Sequence, residues 1–133
     1  MTGSPEVDSA VHRLMDRYML FLDSYDEKEK TYWLVSDDMP LMSVTEMPDN
    51  VVSLRMIIEN VTDKAKKAGM SPFDFYMKMA AALGFYSVEL EMDRYTVYSC
   101  TVHDLDRLPE AAAECMDVYR CYANIQKTVY PFL

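Results

Sequence analysis

The stretch of residues 51–83 constrains the fold more than any other part of the chain, because it predicts two helices joined by a tight turn. Apolar residues recur at helical spacing over residues 51–68, and this run ends on lysines, which the helix dipole favours there. Gly69 then supplies a residue that tolerates the left-handed conformation of a helix end. Ser71 and Pro72 are typical of the start of a second helix. We therefore expect the rest of the chain to pack around a helical hairpin.

The segments on either side of this hairpin predict a further helix at each end of the chain and a small sheet. Ser4 and Pro5 begin a helix whose apolar stripe runs to Tyr25, and we expect this helix to end near residues 23–26. Pro109 stands near the first position of the last helix. The predicted strands are residues 31–36, 41–45, 86–92 and 95–102, and the last two form a hairpin. The fold we expect is α+β, with about four helices packed on an antiparallel sheet of three to four strands.

The amino-acid composition restricts the class of protein. With 133 residues, of which half are apolar, the chain suits a single globular domain over residues 1–133. Its net charge of −9 disfavours direct nucleic-acid binding and favours a partner protein with a basic surface. The three cysteines have no disulfide-framework spacing, and no apolar run is long enough to cross a bilayer. We therefore expect a cytoplasmic protein with reduced thiols and no membrane contact.

Two patterns near the C-terminus raise the question of catalysis or metal binding. Cys100 and His103, with Cys115 and Cys121, are residue types that bind zinc. Cys115 and Cys121 stand six residues apart in the predicted last helix, so they point in different directions and do not converge on one ion. Cys100 and His103 stand three apart in a predicted strand, which places them on opposite faces. We expect no metal, no cofactor and no enzyme, and an enzyme that uses Cys100 and His103 is a second alternative.

The acidic flanks of the central block, together with the single tryptophan, predict a protein-binding surface. A tryptophan beside acids is typical of an interface anchor, and alternation along the strand places Tyr32 and Trp33 on opposite faces. The function we expect is that of a small acidic, non-enzymatic protein-interaction module. Its narrower form is an inhibitor or modulator from a phage or mobile element, which binds a basic surface of nucleic-acid-handling machinery. The predicted protein-binding residues are Asp23, Asp26, Glu27, Trp33, Asp37, Asp38, Glu89 and Glu91.

The central block also resembles a known family, the ribbon-helix-helix repressors and plasmid mobilisation accessory proteins. The segments that carry the resemblance are residues 52–55 (VSLR), 65–71 (AKKAGMS) and 73–76 (FDFY). It extends over residues 51–84, about a quarter of the chain. It implies a homodimer in which residues 51–55 form a strand paired with the dimer mate, with Ser53 and Arg55 pointing at DNA bases. The alternative function is therefore a dimeric DNA-binding regulator, and whether residues 51–55 are strand or helix separates the two interpretations.

Overall fold

Six antiparallel strands and four α-helices make up the fold in the computed structural model, which describes residues 3–83, 90–91 and 93–130. The helices are α1 (Pro5–Tyr18), α2 (Val61–Lys67), α3 (Pro72–Leu83) and α4 (Leu108–Val129). The strands are β1 (Phe21–Asp26), β2 (Thr31–Val35), β3 (Leu41–Met47), β4 (Val51–Ile58), β5 (Leu90–Glu91) and β6 (Arg94–Val102). They form one sheet in the order β1-β2-β3-β4-β6-β5. The α+β class is confirmed, and the sheet has more strands than the three or four that we expected.

The first helix is shorter than the sequence predicts. It starts as expected, with the Ser4 hydroxyl accepting a hydrogen bond from the Val7 amide at 3.4 Å. It ends at Met19, which adopts left-handed angles of φ 55° and ψ 47°. The prediction of helix up to residues 23–26 was wrong, because Phe21–Asp26 is the edge strand β1, paired with β2. The spacing of the apolar residues in this segment fits both a helix and a strand, and the backbone hydrogen bonds to β2 favour the strand.

A larger correction concerns residues 51–58, which form strand β4 and not the first half of a helix. Val52, Leu54 and Met56 alternate with less buried residues, and all three are fully buried. The last two residues, Ile57 and Ile58, are both buried, and the β4–β6 pairing has a register irregularity between Met56 and Ile57, so the alternation breaks there. Pairing along both edges of a central strand then outweighs the helical spacing of the same apolar residues.

Strand β4 bears on both interpretations of the central block. The helix interpretation of residues 51–55 is wrong, because these residues are extended. An extended segment is what the ribbon-helix-helix resemblance implies, but β4 hydrogen-bonds along its two edges to β3 and β6 of the same chain. The paired strands of the resemblance belong to two subunits, whereas those around β4 belong to one. The resemblance to the family stays a prediction.

The turn between the two central helices lies where the sequence predicts it. The first of them begins at Val61, after β4, and the second is confirmed as α3. Gly69 adopts a φ of 74°, a left-handed value that glycine reaches without steric cost. The Ser71 hydroxyl accepts a hydrogen bond from the Asp74 amide at 3.1 Å and so caps α3.

The C-terminal part of the fold follows the prediction wherever the structure describes it. Strand β6 and helix α4 are confirmed, and β2 and β3 are likewise the strands expected earlier in the chain. The predicted strand over residues 86–92 is described only as β5, whose two residues pair with β6 in the expected hairpin. The residues outside the described part of the chain are 1–2, 84–89, 92 and 131–133.

All four helices pack on one face of the sheet. The larger core cluster joins α1 and α4 to alternate residues of β2, β3 and β4, with Leu14, Leu34 and Leu54 fully buried. A second cluster joins α2, α3 and the end of α4 to β6. There the buried hydroxyls of Tyr95 and Tyr122 hydrogen-bond to each other. The strands therefore present their remaining side chains on a face that the described helices do not cover.

Candidate binding site on the open face of the sheet

The sheet face opposite the helices, here called the open face, carries aromatic and polar side chains in register. Trp33, Ser43 and Arg55 stand side by side on β2, β3 and β4. Along β2, Tyr32 is buried among the helices and Trp33 lies on the open face, so the predicted alternation is confirmed. The neighbouring row consists of the hydroxyl residues Thr31, Thr45, Ser53 and Thr101.

Two arginines lie against the ring of Trp33. The guanidinium carbon of Arg94 is 4.7 Å from the ring centre, and that of Arg55 is 6.0 Å from it. Both distances fall within the range of cation–π attraction. Arg55 reaches the ring from β4, and Arg94 reaches it from the start of β6. We call these three half-buried side chains the Trp–Arg cluster.

One hydrogen bond inside the sheet orients the Trp–Arg cluster. The Nε of Arg55 donates to the Ser43 hydroxyl at 3.1 Å, and Ser43 is fully buried. This bond uses one of the five donors of the guanidinium, so the others remain for a ligand. Neither Arg55 nor Arg94 forms an ion pair with a carboxylate whose side chain the structure describes. Both cations therefore lie at the ring of Trp33 without an ion-pair partner among the side chains that the structure describes.

The Trp–Arg cluster lines a cleft of about 670 Å³. Asp26 and Glu29 line the same cleft from the β1–β2 hairpin, whereas the two arginines come from β4 and β6. Positive and negative side chains therefore lie on different sides of it. The Asp26 carboxylate also accepts hydrogen bonds from the amides of Lys28 and Glu29, at 3.0 and 3.1 Å, and so closes the hairpin turn. A cleft of this volume is within the usual range for small-molecule sites.

Of the predicted protein-binding residues with described side chains, Asp26 and Trp33 are the two that the structure brings into this cleft. Asp23 lies at an irregularity of the β1–β2 pairing, between Leu22 and Ser24. Glu27 lies in the hairpin turn beyond the end of β1, so it shares an end of the sheet with Asp26. These acids are on a strand edge, where the sequence predicted the end of a helix.

The remaining predicted acids lie elsewhere. Asp37 and Asp38 are exposed in the connection between β2 and β3, at the opposite end of β2 from the hairpin turn. Glu91 belongs to β5 and stands opposite Arg94 in the hairpin register. Glu89 lies outside the described residues. The predicted acids with described side chains therefore do not form one patch, since Asp23, Asp26 and Glu27 lie on β1 and its turn whereas Asp37 and Asp38 lie at the other end of β2.

Strand β1 is an edge of the sheet, and it exposes large apolar side chains. Phe21 is 58% exposed and Leu22 is 42% exposed, and Met19 just before the strand is 76% exposed. An edge strand also keeps one row of backbone N–H and C=O groups without a neighbouring strand. This surface could not be predicted from a helix interpretation of the same residues.

Cys100 and His103 line one cleft, of about 410 Å³, but are not in a reactive arrangement. No hydrogen bond joins them within the described part of the chain. Burial raises the pKa of the Cys100 thiol and that of the Cys115 thiol, so both stay protonated at neutral pH, when thiolate is the reactive form. Cys115 is buried and Cys121 exposed, so they point apart as predicted. Over the described residues, no group of three or more possible ligands converges on a metal position.

Sequence reasoning missed Arg94 and gave Arg55 a role only through the family resemblance. The signal for Arg55 was present, because Ser53 and Arg55 alternate with Val52 and Leu54, as they do in a strand with one polar face. No local pattern links Arg94 to a tryptophan that lies on a distant strand. The cluster becomes visible once the order of the strands is known.

No protein-family model, no curated protein and no solved structure matches the chain significantly. No helix in the described ranges is both long and apolar enough to cross a membrane.

Proposed function

We propose that this chain is a non-enzymatic protein-interaction module, which binds a partner with a basic surface through the edge strand β1 and the loops beside it. The observation that carries the proposal is the exposure of Phe21 and Leu22 on a free sheet edge, directly beside Asp23. Scattered single exposures are normal on a soluble protein, whereas Met19, Phe21 and Leu22 are three exposed apolar residues within four positions at the start of the edge strand. Apolar anchors bordered by polar residues are typical of protein interfaces.

Acidic side chains border this apolar edge. Asp23, Asp26 and Glu27 are exposed on β1 and its turn, and Asp37 and Asp38 are exposed at the other end of β2. None of the five forms an ion pair within the part of the chain that the structure describes. Their charges are therefore available to steer a cationic partner and to pair with its Lys and Arg side chains on contact.

In its narrower form, the proposal is that the chain is the product of a phage or mobile element and inhibits or modulates nucleic-acid-handling machinery. A surface that binds nucleic acid is basic, and so it also attracts a compact acidic protein. The support for this form is the net charge of −9 and the position of the acids at the edge of the sheet. Its specific expectation is that nucleic acid competes with the chain for the partner.

The proposal is tested by capturing partner proteins from the native host with matched variants of the chain. Phe21→Ser removes the apolar anchor on β1, and Phe73→Ser removes a phenylalanine of equal exposure on α3, since both are 58% exposed. We expect Phe21→Ser to abolish capture of a partner that wild type and Phe73→Ser retain. Capture of the same partner by all three proteins would contradict a contact through β1.

The electrostatic part is tested by removing the same number of charges at two places. Asp23→Asn with Asp26→Asn removes two charges beside β1, and the amide oxygen that replaces the Asp26 carboxylate can still accept the hydrogen bonds of the hairpin turn. Asp16→Asn with Asp117→Asn removes two exposed charges on α1 and α4. We expect the β1 pair to weaken binding about three- to tenfold and to reduce its salt dependence, with no change for the control pair. Equal effects of the two pairs would rule out a specific role for the acids of β1.

A further inference from the structure

We infer that the Trp–Arg cluster binds a small organic dianion, either a phosphate monoester or a dicarboxylate, in a cleft that adjoins the protein-binding edge at Asp26. Arg55 and Arg94 both approach the ring of Trp33, at 6.0 and 4.7 Å from its centre, and all three side chains line one cleft. The shared chemistry of the two ligand types is a pair of negative charges on oxygen within one small molecule.

The charge of the ligand follows from the charge of the site. Arg55 and Arg94 are half-buried and lack a described carboxylate partner, so each has lost hydration without gaining an ion pair among the described side chains. Planar guanidinium groups form paired hydrogen bonds to the two oxygens of a carboxylate or a phosphate. A ligand with two negative charges therefore offers one anionic group to each of the two cations.

The size and shape of the ligand follow from the rest of the cleft. Its volume of about 670 Å³ suits a small organic molecule. The hydroxyl groups of Thr45, Ser53 and Thr101 line it and can hydrogen-bond to neutral polar parts of the ligand. Asp26 and Glu29 on the hairpin side repel any chain of phosphates that continues across the cleft. The site therefore selects a compact dianion over a nucleic acid.

The experiment uses the fluorescence of Trp33, which is the single tryptophan of the chain and so reports on this site alone. The full-length protein is titrated with glycerol phosphate, succinate and acetate at constant ionic strength, and calorimetry measures the same affinities independently. We expect saturable binding of glycerol phosphate or succinate and none of acetate. The tighter of the two dianions identifies the ligand as a phosphate or a dicarboxylate. An absence of saturable binding for every dianion up to about 10 mM, which is weaker than specific metabolite binding, would overturn the inference.

Matched arginine variants locate the site. Arg55→Gln and Arg94→Gln each remove one guanidinium group, with its paired N–H donors, and are expected to weaken binding by about ten- to a hundredfold. Arg94→Lys keeps the positive charge but loses the paired N–H donors, so its affinity for the dianion should lie between those of Arg94→Gln and wild type. Arg120→Gln is the control, because this exposed arginine on α4 pairs with Asp117 at 2.7 Å. Circular dichroism checks that each variant is folded, and if Arg55→Gln is not, the two Arg94 variants carry the test.

Two results would reject this site. One is an affinity for the dianion that is the same in wild type, Arg94→Gln and Arg120→Gln. The other is tighter binding of an acidic peptide or a single-stranded oligonucleotide than of either small dianion. Phe21→Ser should leave dianion binding unchanged, so the failure of the protein-interaction proposal and the failure of this inference are seen in different measurements.

Discussion

The hydrogen-bonded pair of Tyr95 and Tyr122 predicts that the fold loses stability steeply above pH 10. The two side chains are 3% and 2% exposed, and their hydroxyls bond to each other in the second core cluster. Burial, with the neighbouring hydroxyl, raises the pKa of Tyr95, and burial raises the pKa of Tyr122 to about 12, from an ordinary value of 10.0. Below pH 10 both forms of the chain keep these protons, so the pair causes no pH dependence. Above pH 10 the unfolded chain loses them first, and the free energy of unfolding falls as the pH rises.

The size of this effect follows from the shift in pKa. A shift of one unit corresponds to about 1.4 kcal/mol, so Tyr122 lowers the free energy of unfolding by about 1.4 kcal/mol at pH 11 and by about 2.7 kcal/mol once the folded form also ionises. The pKa of Tyr95 is also raised, and this lowers the free energy of unfolding by a similar amount at pH 11. A combined loss of about 3 kcal/mol is a large part of the roughly 5–15 kcal/mol that is typical of a folded domain.

Urea denaturation at pH 8, 9, 10 and 11, followed by far-ultraviolet circular dichroism, measures this loss. We compare wild type with Tyr122→Phe, Tyr95→Phe and the double variant at constant ionic strength. Each single variant should be about 1–3 kcal/mol less stable at pH 8, because it leaves one buried hydroxyl without a partner, and the double variant should cost less than the sum. Other ionisations are common to all four proteins, so differences between them isolate the pair. If the double variant loses as much stability between pH 10 and 11 as wild type does, the reasoning is refuted.

The remaining predictions concern the core, the open face and two backbone positions, and all are measured by urea denaturation at neutral pH. Leu54→Ala should lower the free energy of unfolding by about 2–5 kcal/mol, because Leu54 is fully buried in the central strand β4, and a loss below about 1 kcal/mol would contradict its place there. Ser43→Ala should lower it by about 1–2 kcal/mol, because the Nε of Arg55 loses its buried acceptor, and an unchanged stability would show that this bond contributes nothing. Met19→Gly should raise it by up to about 1 kcal/mol, because Met19 is 76% exposed and has left-handed angles. Gly69→Ala should lower the free energy of unfolding by about 1 kcal/mol, because alanine is strained at the φ of 74° that Gly69 adopts. No atom lies within 4 Å of the added Cβ, so a neutral result would show that this backbone strain is absent.

The elements that the sequence predicted well are those whose boundaries depend on interactions over a few residues. Ser4 caps α1, Gly69 ends the turn after α2, and Ser71 caps α3, all within four residues of the groups they satisfy. Strand β6 was predicted because β-branched and aromatic residues alternate along it. In each case the physical cause is local, so it can be recognised in the chain before any partner is known.

The errors lie where a distant partner decides the structure. Phe21–Asp26 and Val51–Ile58 both carry apolar residues at a spacing that a helix or a strand can use. β1 is a strand because it pairs with β2, and β4 is a strand because it pairs with both β3 and β6. Because residues 51–58 were predicted as a helix, the open face of the sheet could not be recognised in the sequence. Ser53 and Arg55 share a face in a strand and not in a helix.

The net charge of this chain does not determine the charge of each part of its surface, so one acidic protein can carry both of the proposed binding surfaces. The value of −9 is a sum over the chain, whereas strand alternation decides which charges share a face. Asp23 and Glu27 lie at the outer edge of the sheet, and Arg55 and Arg94 lie around Trp33 within it. At physiological salt, exposed charges more than about 8 Å apart are largely screened from one another, so the charges near each surface matter more for binding than the total of −9. A protein with a basic surface and a small dianion can therefore be attracted to different parts of one acidic chain.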